Sequence, residues 1–372
     1  MSPNRYRRRV VELLSAADIA IDGQRPWDVQ VHDGRLYRRV IAQGALGLGE
    51  SYMDGWWDCE RLDEFFARML RADLDTVIKP LRDIPRVIAA RLFNLQKPSV
   101  AFHIGRHHYD IGNDLYRCML DRRMIYSCAY WAKATTLDEA QVDKLDLVCR
   151  KLGLEPGMRV LDIGCGWGGT AKFAAENYSV SVVGVTVSCE QAKLARQLCR
   201  GLDIDIRLED YRSVVGEFDR VISIGMFEHV GHKNYRSFME LVRRLLTDDG
   251  IFLLHTIGGN RSVRKTNTWT QRYIFPNSML PSVRQISRAI EGRFILEDWH
   301  GFGPDYDKTL MSWYRNFEHH WPQLKQQYDE RFYRMWKYFL LSSAGGFRAR
   351  KTQLWQIALT PHGVIGGYRA SR

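Results

Sequence analysis

The ten residues VLDIGCGWGG (160–169) constrain this chain more than any other stretch. Val160 to Ile163 reads as a buried strand that runs into a glycine-rich turn and then a helix. Such a unit belongs to an open α/β sheet, whose ligands sit at the carboxyl ends of the strands. Glycine at 164 and 166 permits unusual dihedrals and close backbone approach. The alternation continues downstream. Strands are expected at 159–163, 180–186, 204–208, 219–224, 251–256, 294–299 and 354–359. Helices are expected at 137–152, 168–177, 190–200 and 235–246, with long helical stretches from about 307 to 344. Strand–helix alternation implies a parallel sheet with helices on both faces. The expected class is therefore α/β, a Rossmann-like sheet with a late helical insertion. A smaller, mainly helical N-terminal region precedes it, with apolar residues at helical spacing (Leu62, Phe65, Phe66, Met69, Leu70).

The glycines at 164–169 satisfy GxGxxG, a weak signal by itself. Asp162 shifts the reading. An acid just before the glycines suits a cationic ligand better than a pyrophosphate, and S-adenosylmethionine carries an ammonium and a sulfonium. The segment resembles the first motif of class I S-adenosylmethionine-dependent methyltransferases. Many of these place an acid at the end of the second strand to hold the ribose. Here that region reads GVTVSCEQ (184–191), leaving Thr186, Glu190 and Gln191 as polar candidates. Ser188 and Gln191 also fit an S-x-x-Q capping box. Ser188 reads as the cap, while Gln191 caps or binds ribose. Asp210, after the third strand, resembles the acid that contacts the adenine amino group, or is a solvated loop carboxylate.

Charge narrows the partners. The chain has 372 residues, 45% of them apolar, and a net charge of +11. That excess favours an anionic partner: nucleic acid, an anionic membrane surface or an acidic substrate. No recognised nucleic-acid target motif is present. No apolar run approaches the ~20 residues that span a bilayer, and the N-terminal segment, interrupted by Glu12, Asp18 and Asp22, does not read as a signal peptide. The seven cysteines form no CxxC pair. No metal site or disulfide framework is expected, and a reducing cytoplasm is.

A sharper resemblance spans nearly the whole chain. It is carried by LGLGESYMDGWW (46–57), HYDIGNDLY (108–116), YSCAYW (126–131), VLDIGCGWGG (160–169), GMFEHVG (225–231), FLLHTIG (252–258), DYDKTLMSWY (305–314) and GGFRAR (345–350). Together these resemble the cyclopropane fatty acid synthases, in particular the long bacterial members that act on phospholipids. The resemblance implies that the methyl of S-adenosylmethionine is transferred to a cis double bond of an acyl chain. Loss of a proton from that methyl then closes the ring. It further implies a bound bicarbonate as base. The side chains of Glu228, His255 and Tyr306 and backbone groups at Cys128 and Ile257 match its holders. Tyr126 and Ser127 match contacts to the donor's methionine end, beside Asp162, Gly164 and Gly166.

The physics is consistent with that assignment. A carboxyl at Glu228 must be protonated, or share a proton, to tolerate an anion. Taken singly, Glu228, His255 and Tyr306 each read as structural; their joint occurrence at strand ends of a methyltransferase sheet, in the context of the resembled family, reads as a site. Cys128 is not needed as a nucleophile. Ser343 stands where some phospholipid-acting members carry a cysteine, a position the mechanism does not require to be a thiol.

The same resemblance implies an N-terminal lipid-binding or dimerisation domain over 1–97 and a catalytic domain over 98–372. Lys97-Pro98 marks the boundary, since the residue before proline disfavours helix. A homodimer peripherally bound to the inner face of a membrane is expected. Arg5, Arg7, Arg8, Arg9, Arg348, Arg350 and Lys351 are the candidate contacts to anionic lipid. Two other readings stay open: a sister enzyme making methyl-branched or methylene fatty acids, and a lipid-binding protein with an inactive methyltransferase fold.

Overall fold

A computed structural model describes residues 3–77, 112–263 and 267–372. The chain divides into two compact units. One comprises Met1–Phe93, Arg264–Pro276 and Tyr306–Thr352; the other comprises Asn94–Val263, Asn277–Asp305 and Gln353–Arg372. The expected boundary at Lys97-Pro98 and the first four positions of HYDIGNDLY lie outside the described residues.

The second unit is built on a seven-stranded sheet. Its strands are β1 (Arg159–Ile163), β2 (Ser181–Thr186), β3 (Ile204–Leu208), β4 (Phe218–Ile224), β5 (Leu246–Gly259), β6 (Ile295–Gly301) and β7 (Thr352–Thr360). They lie in the order β3-β2-β1-β4-β5-β7-β6. The pairs β1–β2, β1–β4, β2–β3 and β4–β5 are parallel, and β6–β7 is antiparallel. The order reverses at β1, the crevice where open α/β sheets bind ligands.

Successive strand residues face opposite sides of the sheet, and the core divides accordingly. Leu161, Ile163, Val183, Val185, Phe252 and Leu254 pack on one face with the helices Tyr235–Leu245 and Val283–Ile290. Val160, Val182, Ile222 and Leu253 pack on the other with Leu137–Leu152 and Gly169–Tyr178. Near-continuous apolar runs were the legible sign of strands buried on both faces. The Leu137–Leu152 helix starts on a reciprocal capping box, Thr136 with Glu139, and ends on left-handed Gly153 (φ 55°). Strands β1 and β3 match their expected bounds; the largest extension is β5, which begins at Leu246 rather than 251.

The first unit is mainly helical. Its helices Leu62–Arg71 and Glu330–Arg348 pack so closely that a Cβ on Gly345 would meet the Asp63 carbonyl and the Phe66 side chain at 2.6 Å. Ser343 lies on the second of these helices. Two expected lipid contacts are otherwise engaged here. Arg348 pairs with Asp307 at 2.9 Å and with buried Asp63 at 2.6 Å, and Lys351 pairs with Asp73. Arg348 is a strut of this unit, because a carboxylate as buried as Asp63 needs a fixed partner. Arg5, Arg7, Arg8 and Arg9 are exposed on the helix Pro3–Ser15. Among the described residues, no helix is long and apolar enough to cross a membrane.

Candidate active site

The carboxyl ends of β1, β2, β3 and β4 open onto one cavity. Asp162, Gly164 and Gly166 line it from β1 and its turn; Thr186 and Gln191 line it beyond β2, and Asp210 beyond β3. Tyr126 and Ser127 complete the wall. All eight residues assigned from sequence to the methyl donor thus face a single space. Gly164 (φ +86°) and Gly166 (φ +56°) hold left-handed conformations that side-chain-bearing residues avoid. A Cβ on Gly164 would also press on the Met226 side chain at 2.9 Å.

The second-strand region resolves its two roles. Ser188 caps the helix Cys189–Leu198 by accepting the Gln191 N–H at 3.3 Å. The Gln191 side chain instead accepts the Thr186 hydroxyl at 2.9 Å, so it belongs to the cavity wall rather than to a capping box. Asp210 accepts the Arg212 N–H at 2.9 Å and pairs with the Arg212 guanidinium at 2.9 Å, which fixes its carboxylate at the cavity edge.

Asp162 is 2% exposed, and among the described residues its Oδ2 has no hydrogen-bond partner. Burial pushes its carboxyl up to about 7, against the opposing pull of Lys144. A buried carboxylate facing a cavity with an unused oxygen fits a cationic ligand such as S-adenosylmethionine.

Lys144 and Gln141 were not singled out from sequence. Both lie on the inward face of the Leu137–Leu152 helix and are fully buried. Lys144 Nζ donates to Ser127 Oγ at 3.0 Å, and Gln141 Nε2 donates to the Ser127 carbonyl at 2.9 Å. Ser127 Oγ therefore accepts a hydrogen bond from the lysine and keeps its own hydroxyl hydrogen to offer the cavity. Burial lowers Lys144 to about 8, opposed by Asp121, Cys128 and Asp162. The available signal was Lys144 and Lys151 at i, i+7 on the stripe that carries Leu145, Val148 and Leu152.

Glu228 and His255 sit beside this cavity, not in its lining. Glu228 lies in the short helix Phe227–Val230, flanked by cavity residues Met226 and His229. It does not cap the Tyr235–Leu245 helix, whose N-cap is Asn234. Its Oε1 accepts the Ile257 N–H at 2.6 Å, while Oε2 is buried and has no hydrogen-bond partner among the described residues. Burial pushes its carboxyl up to about 7, against the opposing pull of the Ile257 N–H, its own backbone N–H and the Thr256 hydroxyl. His255 and Ile257 project from the same face of β5. The Gln356 Nε2 lies 3.3 Å from His255 Nδ1, and His255 Nε2 has no hydrogen-bond partner among the described residues. Burial, then Lys144 and Lys151, hold His255 well below the ordinary imidazole range, so it is neutral. A carboxyl with one unused oxygen and an imidazole with one unused nitrogen fit a small oxyanion. The donor set is sound provided that the carboxyl carries a proton.

The Cys128 thiol is fully buried and turned to the Ala129 carbonyl at 3.2 Å. Tyr306 belongs to the other unit, in the helix Pro304–Leu324, where its ring stacks on Phe347 at 4.5 Å. Among the described residues, no cluster of histidine, cysteine and acidic side chains is arranged to hold a metal ion.

The family model described as mycolic acid cyclopropane synthetase matches residues 96–357. The chain is 54% identical over 362 residues to the cyclopropane-fatty-acyl-phospholipid synthase of Escherichia coli (strain K12), covering 97% of this chain and 94% of that one. It is 36% identical over 260 residues to cyclopropane mycolic acid synthase 1 of Mycobacterium tuberculosis (strain H37Rv), covering 65% of this chain and 91% of the other. A crystal structure of a mycolic acid cyclopropane synthase complexed with SAH and CTAB aligns with a TM-score of 0.64 at 36% identity, over 69% of this chain and 97% of its own. Matches of this identity and coverage, on a site that already fits the donor, place the chain: it belongs to the cyclopropane synthetase family and is an S-adenosylmethionine-dependent methyltransferase.

Proposed function

We propose that this enzyme methylates a cis double bond in an acyl chain of an unsaturated phospholipid and closes a cyclopropane ring with bicarbonate as base. The observation that carries the reading is Glu228: a buried carboxyl beside the donor cavity, clasped through one oxygen by Ile257 and, among the described residues, unpartnered at the other. S-adenosylmethionine supplies an electrophilic sulfonium methyl, and bicarbonate supplies the acceptor for the proton that leaves it.

The chain's own groups bind and orient. Asp162 balances the donor's positive charge, Ser127 presents a hydroxyl backed by Lys144, and Thr186, Gln191 and Asp210 bound the nucleoside side. Glu228, in its protonated form, and the His255 Nε2–H donate hydrogen bonds to the anion. Tyr306 and the backbone at Cys128 are assigned to the same anion by family resemblance. The same resemblance assigns the Ile257 backbone to the anion, and its N–H also holds Glu228 Oε1. A proton beside a carbocation is very acidic, so placement counts for more than basic strength.

The substrate's double bond lies in a bilayer. We assign residues 1–97 to lipid binding or dimerisation and residues 98–372 to catalysis, in a homodimer held peripherally at the inner membrane face. Arg5, Arg7, Arg8 and Arg9 would meet anionic headgroups, each contributing about 1 kcal/mol.

Product analysis tests the reading. Purified protein is incubated with labelled S-adenosylmethionine and vesicles of cis-unsaturated phospholipid, and the acyl chains are examined by mass spectrometry and proton NMR. Shielded cyclopropane protons on a chain that has gained one methylene are expected. A methyl-branched product would overturn ring closure, and unlabelled lipid with intact donor binding would overturn the acceptor.

A further inference from the structure

Gln356 lies in the middle of β7 and is fully buried. Between Leu354 and Leu359 it is the only polar residue. A buried amide is costly wherever its polar atoms go unmet, at about 1–3 kcal/mol each. Among the described residues the Gln356 Oε1 has no hydrogen-bond partner, so the amide is not there to satisfy the sheet. Its Nε2 is 3.3 Å from His255 Nδ1. Across the β6–β7 ladder Gln356 pairs with His300, whose own Nδ1 is 3.1 Å from Lys151 Nζ.

We infer that Gln356 is a positioning residue whose amide holds His255 in the tautomer with its proton on Nε2, making a neutral imidazole the hydrogen-bond donor to the anionic base. This rests on the reading of Glu228 and His255 as the anion's holders. An amide nitrogen has hydrogens to give and no lone pair to offer, so it pairs with Nδ1 only as an acceptor. A neutral imidazole carries one proton, which then resides on Nε2. The imidazolium, protonated at both nitrogens, would set Nδ1–H against the amide hydrogens. The other neutral tautomer would turn an Nε2 lone pair toward an anion, exchanging attraction for repulsion. The amide thus selects, from three forms of the ring, the one that donates at Nε2 without adding a charge.

Nitrogen-15 NMR of the histidine-labelled enzyme, without donor or bicarbonate, reads the tautomer directly. The wild type should show His255 as Nε2–H. Gln356→Leu suits an apolar strand and removes the donor, and Gln356→Met is a second, closer fit in shape. In both variants the His255 pattern should leave the pure Nε2–H form. The bicarbonate concentration for half-maximal rate should rise about tenfold, the loss of one hydrogen-bonded contact to a charged acceptor. Donor affinity by calorimetry should stay within about twofold, since Gln356 does not line the donor cavity. An Nδ1–H ring in the wild type would overturn the inference whether or not either variant folds. So would variants with unchanged ring pattern and unchanged bicarbonate response. Should the wild-type rate prove indifferent to bicarbonate while the variants still shift the ring, the anion reading falls and tautomer selection by Gln356 stands.

Discussion

Replacing Glu228 by glutamine separates what this carboxyl does for catalysis from what it costs the fold. Its pKa rises from 4.5 to about 7 on burial, so the folded protein binds this proton more tightly than the unfolded chain does. The sign follows from linkage. Below pH 4.5 both states are protonated and Glu228 costs nothing. As pH rises through 4.5 toward 7 the unfolded chain ionises first, and stability falls. Above 7 the full difference is expressed, about 3 kcal/mol at 1.36 kcal/mol per pKa unit. Glu228→Gln keeps an oxygen for the Ile257 N–H but never ionises, so it escapes the penalty. The variant should match the wild type near pH 4 and exceed it at pH 8, by up to about 3 kcal/mol. Its turnover should fall by at least about 10²-fold: the amide still donates a hydrogen bond, but it cannot share its proton with the anion as a carboxyl can. Urea denaturation at pH 4.5, 6 and 8 measures the first effect, and labelled-methyl incorporation into lipid measures the second. Calorimetry confirms that the donor still binds. Equal stability increments at all three pH values would refute the raised pKa, and wild-type turnover would refute the catalytic assignment.

Other outcomes follow from the same geometry. Asp162→Ala removes the cavity's buried carboxylate and should weaken S-adenosylmethionine binding at least about tenfold; unchanged affinity by calorimetry would remove Asp162 from the donor site. Binding to anionic vesicles should fall steadily as salt is raised from 0.05 to about 0.5 M, because screening shortens the reach of exposed charges such as Arg5, Arg7 and Arg8. Salt-insensitive sedimentation would point to apolar insertion instead. Gly258→Ala would force a Cβ into the Trp355 ring. A loss of about 1–3 kcal/mol in denaturation is expected, and an unchanged midpoint would contradict the packing at the end of β5.

Local chemistry was legible. Strands β1 and β3 and the helix Leu137–Leu152 match their expected limits, because apolar runs, glycine turns and capping residues act over a few neighbours. The cavity shared by the eight residues expected to meet the donor was also readable for those at and after β1, β2 and β3, since parallel strand ends deliver their residues to one crevice; Tyr126 and Ser127 reach it from a loop. Lys144 and Gln356 were not. A lysine on an amphipathic helix reads as solvated, and a glutamine in a strand reads as outward-facing, until the neighbouring element is known. Arg348 and Lys351 illustrate the converse: a basic run beside the C-terminal helix reads as a surface patch, yet the partners Asp63, Asp307 and Asp73 come from distant sequence.

The sequence by itself determined the sheet, the glycine-lined crevice at its strand ends and the family, because these depend on periodicity and on short motifs whose geometry is local. Only the tertiary structure decided which polar side chains are buried and what they face: Gln191 on Thr186, Glu228 on the Ile257 N–H, Gln356 on His255. Burial and hydrogen bonding across strands are properties of residues far apart in the chain. Protonation state depends on both, so the charge of Glu228 and the tautomer of His255 become definite only once the sheet has assembled around them.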